Sequence, residues 1–414
     1  MRLRTGAALV LLLGALAGAV VVGLGSPAAG GSLTEVWVSD TPRENRANHH
    51  AVGAGPEADV LVAPVAEIPR DDVSVTDSSC VLARLAPGDG AVQWRAGVPA
   101  ANCTSHALTE PAIADLDGDG DLEVAAATTE DALVVREAGE GREEWRVGLS
   151  TFGYGRPTVG NLTPAPGPEV VASDIDGGVV VVTGEGREVW RVDLASLPVD
   201  RTTVWDRPVV RDIDADGDPE VLLGTWGGPV VLGAGGDLEW HADGAAAHTT
   251  AVQADDDAAL EVVTAGTDGL RAYDGATGDL EWERELRGSR VRVAADVDGD
   301  GTVAAFVGRT DGTALAVDAA TGETLWTTTL GTGQTAAVAP VLGDVDGDGS
   351  GELLTATGGG TVAVLAPEDG AELAAYERSV PVWTTPTPAD LDDDGADEVL
   401  VRYGDGRVVA LAYG

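Results

Sequence analysis

The chain has 414 residues, of which 69 are Asp or Glu and 25 are basic, and its formal net charge at pH 7 is −44. Every basic residue is Arg, because the sequence contains no Lys. Such a polyanion repels phosphate backbones and has no clustered basic face, which excludes nucleic acid as a partner. Acidity without Lys is typical of adaptation to molar salt and predicts a halophilic source, with ordinary bacterial acidity as the alternative.

Residues 1–31 are predicted to direct export and not to belong to the folded domain. Arg2 and Arg4 precede an uncharged apolar run that begins at Gly6, which is the pattern of a signal peptide. The run is also just long enough to span a bilayer, so an uncleaved membrane anchor is an equal alternative. Both interpretations place residues 32–414 outside the cell as one domain, attached to a membrane only through this segment.

The only two cysteines, Cys80 and Cys103, lie 23 residues apart. In an exported chain a disulfide between them is the expected state. A pair of free buried thiols is the alternative, because sequence separation does not give the distance between two Cβ atoms.

Most of the chain repeats one unit, whose first half reads P-x-x-x-D-x-D-x-D-G-x-x-E and whose second half reads G-x-x-x-W. The acidic halves start at Asp115, Asn161, Asp212, Gln253, Asp296, Asp344 and Asp390. The second halves place Trp at 94, 145, 190, 240, 282 and 326, with Ala374 in the Trp position of a degenerate copy. The acidic start and the Trp position stay 28 to 30 residues apart, so both halves belong to one unit.

The repeat predicts an all-β fold, an eight-bladed β-propeller. Short β-branched runs separated by Gly or Asp turns give each unit three or four strands, without helical periodicity. Units of this length have the size of propeller blades. Seven blades are the alternative if the first unit is not a blade, since its acidic half is only a degenerate stretch at residues 63–72.

Ring closure is predicted from the two ends of the repeat. The last unit starts at Asp390, and the chain reaches Gly414 before that unit has a Trp strand. At the other end, Leu33 to Ser39 carries Trp37 with no acidic loop before it. Pairing this N-terminal strand with the C-terminal blade would close the ring and remove an open sheet edge.

The acidic loops predict calcium sites. Ca²⁺ takes six to eight oxygen ligands, and alternating Asp residues in a tight Gly-containing loop point their carboxylates inward. The predicted complete sites, each with the backbone carbonyl of its seventh residue, are Asp115, Asp117, Asp119, Asp121 and Glu123; Asp212, Asp214, Asp216, Asp218 and Glu220; Asp344, Asp346, Asp348, Ser350 and Glu352; and Asp390, Asp392, Asp394, Ala396 and Glu398. The partial sites are Asp296, Asp298 and Asp300, and Asp255, Asp257 and Glu261. The ions are expected to stabilise the turn between the first two strands of a blade. The Trp side chains are expected to pack between neighbouring blades.

The residues that precede each innermost strand vary from blade to blade. A purely structural role would require similar residues at the equivalent position of every blade. Tyr154, Arg156, Trp205, Arg207 and His248 fall at these positions on adjacent blades and predict a recognition patch. Its Arg pair would hold a carboxylate or sulfate, and its aromatic side chains would stack on a sugar or ring. Variable loop tips with local salt bridges are the alternative. His49-His50 is interpreted as a solvated turn.

These motifs resemble two related propeller families. The D-x-D-G-D-G-x-x-E loops resemble FG-GAP repeats, as in integrin-α propellers, and the segment from Asp318 to Trp326 is similar to the tryptophan-docking repeats of PQQ-type propellers. The resemblance covers residues 33–414. It implies fold more firmly than function, because such propellers include alcohol dehydrogenases, outer-membrane assembly scaffolds and adhesion modules.

A binding role is expected, and catalysis is not. The resemblance implies that a quinoprotein would hold its cofactor with a vicinal Cys pair, a central Ca²⁺ and a cationic side chain, whereas this chain has no adjacent cysteines and no Lys. We therefore expect structural Ca²⁺, no PQQ, and a monomeric scaffold at the cell surface for a protein or anionic glycan partner. A quinoprotein oxidoreductase is the alternative.

Overall fold

A computed structural model describes residues 30–40, 49–67, 79–104, 106–331 and 335–414. The predicted export segment lies outside these residues except for its last two. In the described part of the chain, no helix is long and apolar enough to cross a membrane.

Thirty-two strands in these residues form eight antiparallel sheets of four strands, and each sheet is one blade. The first strand of the chain, β1 (Leu33–Val38), belongs to blade 8. Blade 1 contains β2 (Gly53–Ala54), β3 (Leu61–Glu67), β4 (Ser79–Leu85) and β5 (Val92–Val98). Blade 2 contains β6 (Ala112–Ala114), β7 (Glu123–Thr128), β8 (Ala132–Glu137) and β9 (Glu143–Gly148). Blade 3 contains β10 (Thr158–Gly160), β11 (Glu169–Ser173), β12 (Gly178–Thr183) and β13 (Glu188–Asp193). Blade 4 contains β14 (Val209–Arg211), β15 (Glu220–Gly224), β16 (Pro229–Leu232) and β17 (Leu238–His241).

The second half of the ring repeats this order. Blade 5 contains β18 (His248–Val252), β19 (Glu261–Ala265), β20 (Leu270–Asp274) and β21 (Leu280–Arg284). Blade 6 contains β22 (Ser289–Ala295), β23 (Ala304–Arg309), β24 (Thr313–Asp318) and β25 (Thr324–Thr329). Blade 7 contains β26 (Val341–Gly343), β27 (Glu352–Ala356), β28 (Thr361–Leu365) and β29 (Glu372–Glu377). Blade 8 contains β30 (Thr387–Ala389), β31 (Glu398–Arg402) and β32 (Val408–Tyr413), completed by β1.

The short first strand of each blade lies innermost. First strands of neighbouring blades contact each other all the way around, and β2 of blade 1 also contacts β30 of blade 8. Middle strands such as β7 and β11 are buried along their whole length, whereas the fourth strands β9 and β25 alternate between more and less exposed residues. Residues such as Val and Ala therefore fill the middle strands because neighbouring blades cover both faces of each sheet.

The ring closes as predicted. β1 pairs antiparallel with β32, with Leu33 opposite Tyr413 and Val38 opposite Val409. β1 thus supplies the fourth strand that the last repeat lacks, and this confirms eight blades. The pairing leaves β32 with a hydrogen-bonded neighbour on both sides, which removes the open edge.

The repeated Trp residues join neighbouring blades. The indole N–H of Trp145 donates a 2.8 Å hydrogen bond to the carbonyl of Gly184 in blade 3. The ring lies over Gly186, where an added Cβ would come within 2.6 Å of it. The same contacts occur for Trp37 on Gly90, Trp94 on Gly141, Trp190 on Gly236, Trp240 on Gly278, Trp282 on Gly322 and Trp326 on Gly370. Between blades 7 and 8, where Ala374 replaces Trp, the Tyr376 hydroxyl instead donates a 2.8 Å hydrogen bond to Glu35.

Blade 1 exists, but the acidic half of its repeat was placed wrongly. The expected start lay in residues 63–72, yet residues 61–67 form the second strand, β3. The turn between the first two strands instead spans Gly55 to Val60. The usual spacing between acidic start and Trp fails here because β3 ends at Glu67 and β4 starts only at Ser79, so the second and third strands are further apart in sequence than in the other blades.

Antiparallel strands give the ring two distinct faces. The acidic loops follow each first strand and lie on one face, here called the acidic face. The connections from each fourth strand to the next first strand lie on the other, here called the cavity face. Four of the five predicted recognition residues are in these connections, and the fifth, His248, is the first residue of β18. The predicted calcium loops lie on the opposite side.

Candidate functional site

A cavity of about 470 Å³ opens on the cavity face around the central axis. Residues at the start of every blade line it. The segment before blade 1 contributes His49 and His50, and that before blade 8 contributes Trp383 and Thr385. Four of the five predicted recognition residues line it, namely Tyr154, Arg156, Trp205 and His248.

A buried ion-pair network forms one wall. The Arg292 guanidinium lies 3.2 Å from one carboxylate oxygen of Glu110, and Arg156 lies 3.3 Å from the other. Arg292 also donates a 2.7 Å hydrogen bond to the Thr385 hydroxyl. Burial alone would raise the pKa of Glu110, but the charges of Arg292, Arg156 and Arg207 outweigh it and hold that pKa below its usual value. Glu110 is therefore ionised at neutral pH.

A second pair lies beside this network. His248 Nδ1 is 2.8 Å from the Asp206 carboxylate. Burial disfavours the charged carboxylate, but the hydrogen bond from His248 and the charges of Arg292 and Arg207 lower its pKa below the usual value. The ionised Asp206 therefore accepts a hydrogen bond from the Nδ1–H group of His248, and the Nε2 nitrogen of that ring is directed away from Asp206.

Arg207, the fifth predicted residue, lies elsewhere. It lines a second cavity of about 260 Å³, which it shares with Arg156 on the other side of the ion-pair network. Burial and the neighbouring charge of Arg292 lower the pKa of Arg207 to about 10, so it stays charged at neutral pH. Arg156 lines both cavities and connects the two.

An aromatic rim surrounds the mouth of the main cavity. The rings of Tyr154 and Trp205 meet edge to face with centroids 4.8 Å apart. Trp205, Trp226 and Trp383 expose 37%, 36% and 45% of their surface, which is unusual for Trp in a folded protein. These side chains offer flat apolar surfaces directly above the charged wall.

Sequence reasoning missed several residues of this cavity. His49-His50 is not a solvated turn, because His50 is buried and its ring lies 5.0 Å from that of Tyr154. Arg290 and Arg292 were also missed. The repeat alignment places Val291 at the variable position, but β22 starts earlier than other first strands and has a register shift between Val291 and Val293, which turns the flanking arginines toward the cavity.

The acidic loops have the compact shape that a cation would need. Ligand oxygens of Asp115, Asp117 and Glu123 lie within 4.8 Å of one another. The same holds for Asp212, Asp214 and Glu220; Asp255, Asp257 and Glu261; Asp296, Asp298 and Asp300; and Asp344, Asp346 and Asp348. In the last loop, Asp390 accepts hydrogen bonds from the N–H groups of Asp394 and Gly395.

The closing Glu of each complete loop anchors the loop to its strand. Glu123 Oε2 accepts a 2.7 Å hydrogen bond from the Leu116 N–H, and Glu220 accepts a 2.6 Å hydrogen bond from the Ile213 N–H. Burial and neighbouring carboxylates raise the pKa of both to about 7. A bound cation would relieve this crowding of negative charge, so the residues fit Ca²⁺, which stays a prediction.

The partial loops differ in how they hold their shape. The Gln253 amide donates 2.9 Å hydrogen bonds to the carbonyls of Asp257 and Ala259, the latter at position seven. In the degraded loop of blade 3, Glu169 accepts hydrogen bonds from the Leu162 N–H and the Thr163 hydroxyl. Side-chain donors thus bond to oxygens that face a cation site in complete loops.

Cys80 on β4 and Cys103 form a disulfide with their Cα atoms 5.2 Å apart. Cys103 lies in the connection that leads to blade 2 and carries His106. The bond therefore ties this part of the cavity face to the body of blade 1.

Several solved structures have a similar architecture. The chain resembles BamB from Moraxella catarrhalis (TM-score 0.61, 17% identity, 92% of this chain and 97% of that one). It also resembles the quinohemoprotein alcohol dehydrogenase ADHIIG from Pseudomonas putida HK5 (TM-score 0.62, 12% identity, 92% and 76%). A third similar structure is BBS1N in complex with ARL6DN (TM-score 0.52, 15% identity, 73% and 91%). At these identities the likeness shows the fold alone.

No curated protein sequence matches the chain. A family model described as outer membrane protein assembly factor BamB matches residues 176–413, which is more than half of the sequence. The matched region includes blades 4 to 7 and strands β30 to β32 of blade 8. The chain therefore belongs to the BamB-like family of PQQ-type repeat β-propellers.

Proposed function

We propose that the chain is an extracellular, calcium-stabilised binding module that holds an anionic group of a protein or glycan partner in its central cavity. The main support for this function is the set of charged residues that line the cavity wall. Arg156, Arg290 and Arg292 line the main cavity, together with the two carboxylates of Glu110 and Asp206.

The local charge is opposite to that of the whole chain. With Arg207 and Arg211 of the adjoining cavity, five arginines line the two cavities against two carboxylates, which leaves a formal excess of three positive charges. The chain as a whole carries −44. A carboxylate or sulfate would be drawn to this wall and could pair with Arg in a charge-assisted, bidentate contact.

The aromatic rim supports a ligand with a ring attached to its anionic group. Trp205, Trp226 and Trp383 keep more than a third of their surface exposed at the mouth. Exposed Trp side chains contribute large apolar contacts with little loss of conformational freedom, which is why they are enriched at binding sites. A sugar ring or an aromatic side chain would stack there while its acid group reaches the arginines.

Other features of the molecule support an extracellular location, structural Ca²⁺ and a protein partner. The disulfide between Cys80 and Cys103 supports an oxidising compartment. The compact acidic loops support structural Ca²⁺ on the face opposite the cavity, where an ion would not contact the ligand. Relatives named for outer-membrane assembly and for a complex with ARL6DN support a protein partner as one of the two partner classes.

The binding test uses defined probes at moderate ionic strength, about 0.15 M salt, where cavity charges are not fully screened. A uronic-acid oligosaccharide and an acidic peptide are titrated calorimetrically, each beside its neutral counterpart. We expect at least one acidic probe to bind saturably. The double variant Arg156→Ala/Arg290→Ala removes two arginines that line the main cavity. It should weaken that binding about a hundredfold, since each charge-assisted hydrogen bond contributes about 1.5–3 kcal/mol.

The matched control is Arg142→Ala/Arg187→Ala, which removes two arginines with 67% and 74% of their side chains exposed. It should bind as the parent does. Equal weakening by both double variants, or no preference for acidic over neutral probes, would contradict the proposal.

A quinoprotein oxidoreductase is the competing function, and the cavity does not fit it. A central Ca²⁺ would need free carboxylates, but Glu110 is paired with two arginines and Asp206 with His248. The Cys pair is separated by 23 residues and is not vicinal. Adding PQQ to the protein with Ca²⁺ and recording the absorbance would discriminate, and a stoichiometric spectral change would favour the oxidoreductase.

A further inference from the structure

The second cavity, of about 260 Å³, adjoins the main cavity and shares Arg156 with it. Its walls are formed by the first strands β6, β10 and β14 of blades 2 to 4 and by the residues just before β10 and β14. Arg156, Arg207 and Arg211 line it, and no Asp or Glu is among the described residues that do so. In a chain of net charge −44, such a cavity is a local region of positive potential that attracts anions.

Two of these arginines are carried by connections that touch each other. Arg156 and Arg207 each directly precede the Pro that leads into the first strand of blade 3 or blade 4. The Thr158 hydroxyl donates a 2.6 Å hydrogen bond to the Pro208 carbonyl. Beside Arg156, a Cβ added to Gly155 would come within 3.0 Å of the Arg207 backbone nitrogen. The contact between the two connections places both guanidinium groups at the same cavity.

The guanidinium of Arg207 makes no hydrogen bond and no ion pair with any residue that the structure describes. The adjacent carboxylate of Asp206 is already occupied. One of its oxygens accepts a 2.8 Å hydrogen bond from the backbone N–H of Arg207, and the other lies 2.8 Å from His248. The carboxylate of Glu110 is held by two other arginines. A partly buried cation without a partner costs free energy, which a bound anion would recover.

The charges around Arg207 do not compensate for its burial. Burial and the charge of Arg292 lower the pKa of Arg207 to about 10, and Arg156 acts in the same direction. Asp206 and Glu110 raise that pKa but do not restore its usual value. An anion beside the guanidinium would favour the charged form and oppose this shift.

We propose that the second cavity binds one inorganic oxyanion, of the sulfate or phosphate type, between the guanidinium groups of Arg156 and Arg207. A planar guanidinium pairs with two oxygens of such an ion at once. The cavity of about 260 Å³ also has room for part of the hydration water of the ion, since one water molecule occupies about 30 Å³. Arg211 adds positive charge from the side of blade 5, where it donates a 2.7 Å hydrogen bond to the Ala251 carbonyl.

This oxyanion site differs from the main cavity in both its residues and its ligand. Arg207 lines only the second cavity, and Arg290 lines only the main one. Sulfate has no ring that could stack on the aromatic rim. A failure of uronic-acid or peptide probes to bind would therefore leave the oxyanion site untouched, and the reverse also holds.

Calorimetric titration of the full-length chain with sodium sulfate, at a constant ionic strength of about 0.15 M set with NaCl, measures the affinity. We expect one saturable equivalent. Arg207→Gln should weaken sulfate binding at least about tenfold, because it removes charge-assisted hydrogen bonds to the ion. The matched control is Arg187→Gln, which removes an arginine with 74% of its side chain exposed and should bind sulfate as the parent does.

Two results of this titration would overturn the proposal. The first is the absence of saturable binding, or equal weakening by Arg207→Gln and Arg187→Gln, which would mean that sulfate responds only to overall charge. The second is a loss of binding in Arg290→Gln but not in Arg207→Gln, which would place the ion in the main cavity.

Crystals of the full-length chain soaked in selenate locate the ion without any variant, because selenate replaces sulfate and has an anomalous signal. We expect an anomalous peak directly beside the guanidinium groups of Arg156 and Arg207. This measurement decides the question even if Arg207→Gln fails to fold. A crystal without a peak in the second cavity would refute the assignment.

Discussion

At the scale of single residues, Gln253 shows how one side chain can change the need of a loop for an ion. Its amide nitrogen lies 2.9 Å from two backbone carbonyls, those of Asp257 and Ala259. In complete loops the first residue is Asp, an acceptor that cannot donate such hydrogen bonds when ionised. The amide thus holds together the loop of blade 5, as a cation is predicted to do in the complete loops. We therefore expect this loop to bind no Ca²⁺.

Gln253→Asp should therefore create a calcium site. The new carboxylate would join Asp255, Asp257 and Glu261, whose ligand oxygens already lie within 4.8 Å of one another. Removing the amide also frees the carbonyl of Ala259 to ligate. Calorimetric titration with Ca²⁺ should show one additional equivalent over the parent chain.

The reverse change, Asp212→Gln in blade 4, serves as the control for Gln253→Asp. It should lose one equivalent of Ca²⁺, because it places an amide where a ligand is predicted. An unchanged stoichiometry in Gln253→Asp would mean that the first loop residue does not decide ion binding.

The cavity residues could be predicted only where the repeat fixes their position. Tyr154 and Trp205 sit at one equivalent point of successive repeats, and Arg156, Arg207 and His248 sit at another, so their departure from sameness was visible in the sequence. His50 and His106 come from the two segments that flank blade 1, whose acidic half does not match the other repeats, so the repeat alignment gave neither residue a position. Arg292 was hidden by a local register shift in β22.

At the scale of elements, each blade is held to the next by a Trp that packs on a Gly. Gly186 has φ +78°, a conformation that side chains disfavour, and an added Cβ would also overlap the Trp145 ring. Two separate costs thus fall on this one residue: backbone strain and the loss of the docking contact.

Comparing Gly186→Ala with Gly301→Ala separates these two costs. Gly301 also has a positive φ, of +92°, but an added Cβ there would meet nothing within 4 Å. We expect Gly186→Ala to lower the free energy of unfolding by about 1–3 kcal/mol more than Gly301→Ala, which is the usual cost of overpacking. Denaturant unfolding with a chelator present measures both without any contribution from ions. Equal losses would show that the Trp contact adds nothing beyond backbone strain.

The same elements show what a repeat can and cannot reveal. The register of Trp37 and the absent last strand were sufficient to predict how the ring closes, because both departures concern whole strands. The first turn of blade 1 was misplaced because its spacing differs from the other units. Repeat spacing is a reliable guide only while insertions stay out of the unit.

At the scale of the whole molecule, charge is divided between the two faces. The acidic loops concentrate carboxylates on one face, whereas the cavity on the other has a local excess of Arg. Self-repulsion on the acidic face destabilises the folded state unless cations bind or salt screens it. The net charge of −44 therefore makes stability depend on two separable conditions, bound Ca²⁺ and ionic strength.

Thermal melting under a matrix of conditions tests both dependences. At about 0.1 M KCl, where the Debye length is about 10 Å, excess EGTA should lower the Tm by several degrees, since each site filled to about 100 times its Kd contributes about 2.7 kcal/mol. At molar KCl the Tm should rise in both samples and the effect of EGTA should shrink, because screening weakens the repulsion that the ions relieve. Mg²⁺ is the matched control, as it carries the same charge but demands a smaller octahedral site. If Mg²⁺ restores the Tm as fully as Ca²⁺ does, general screening and not coordination stabilises the acidic face. If EGTA does not change the Tm at low salt, the prediction that Ca²⁺ stabilises the fold is wrong.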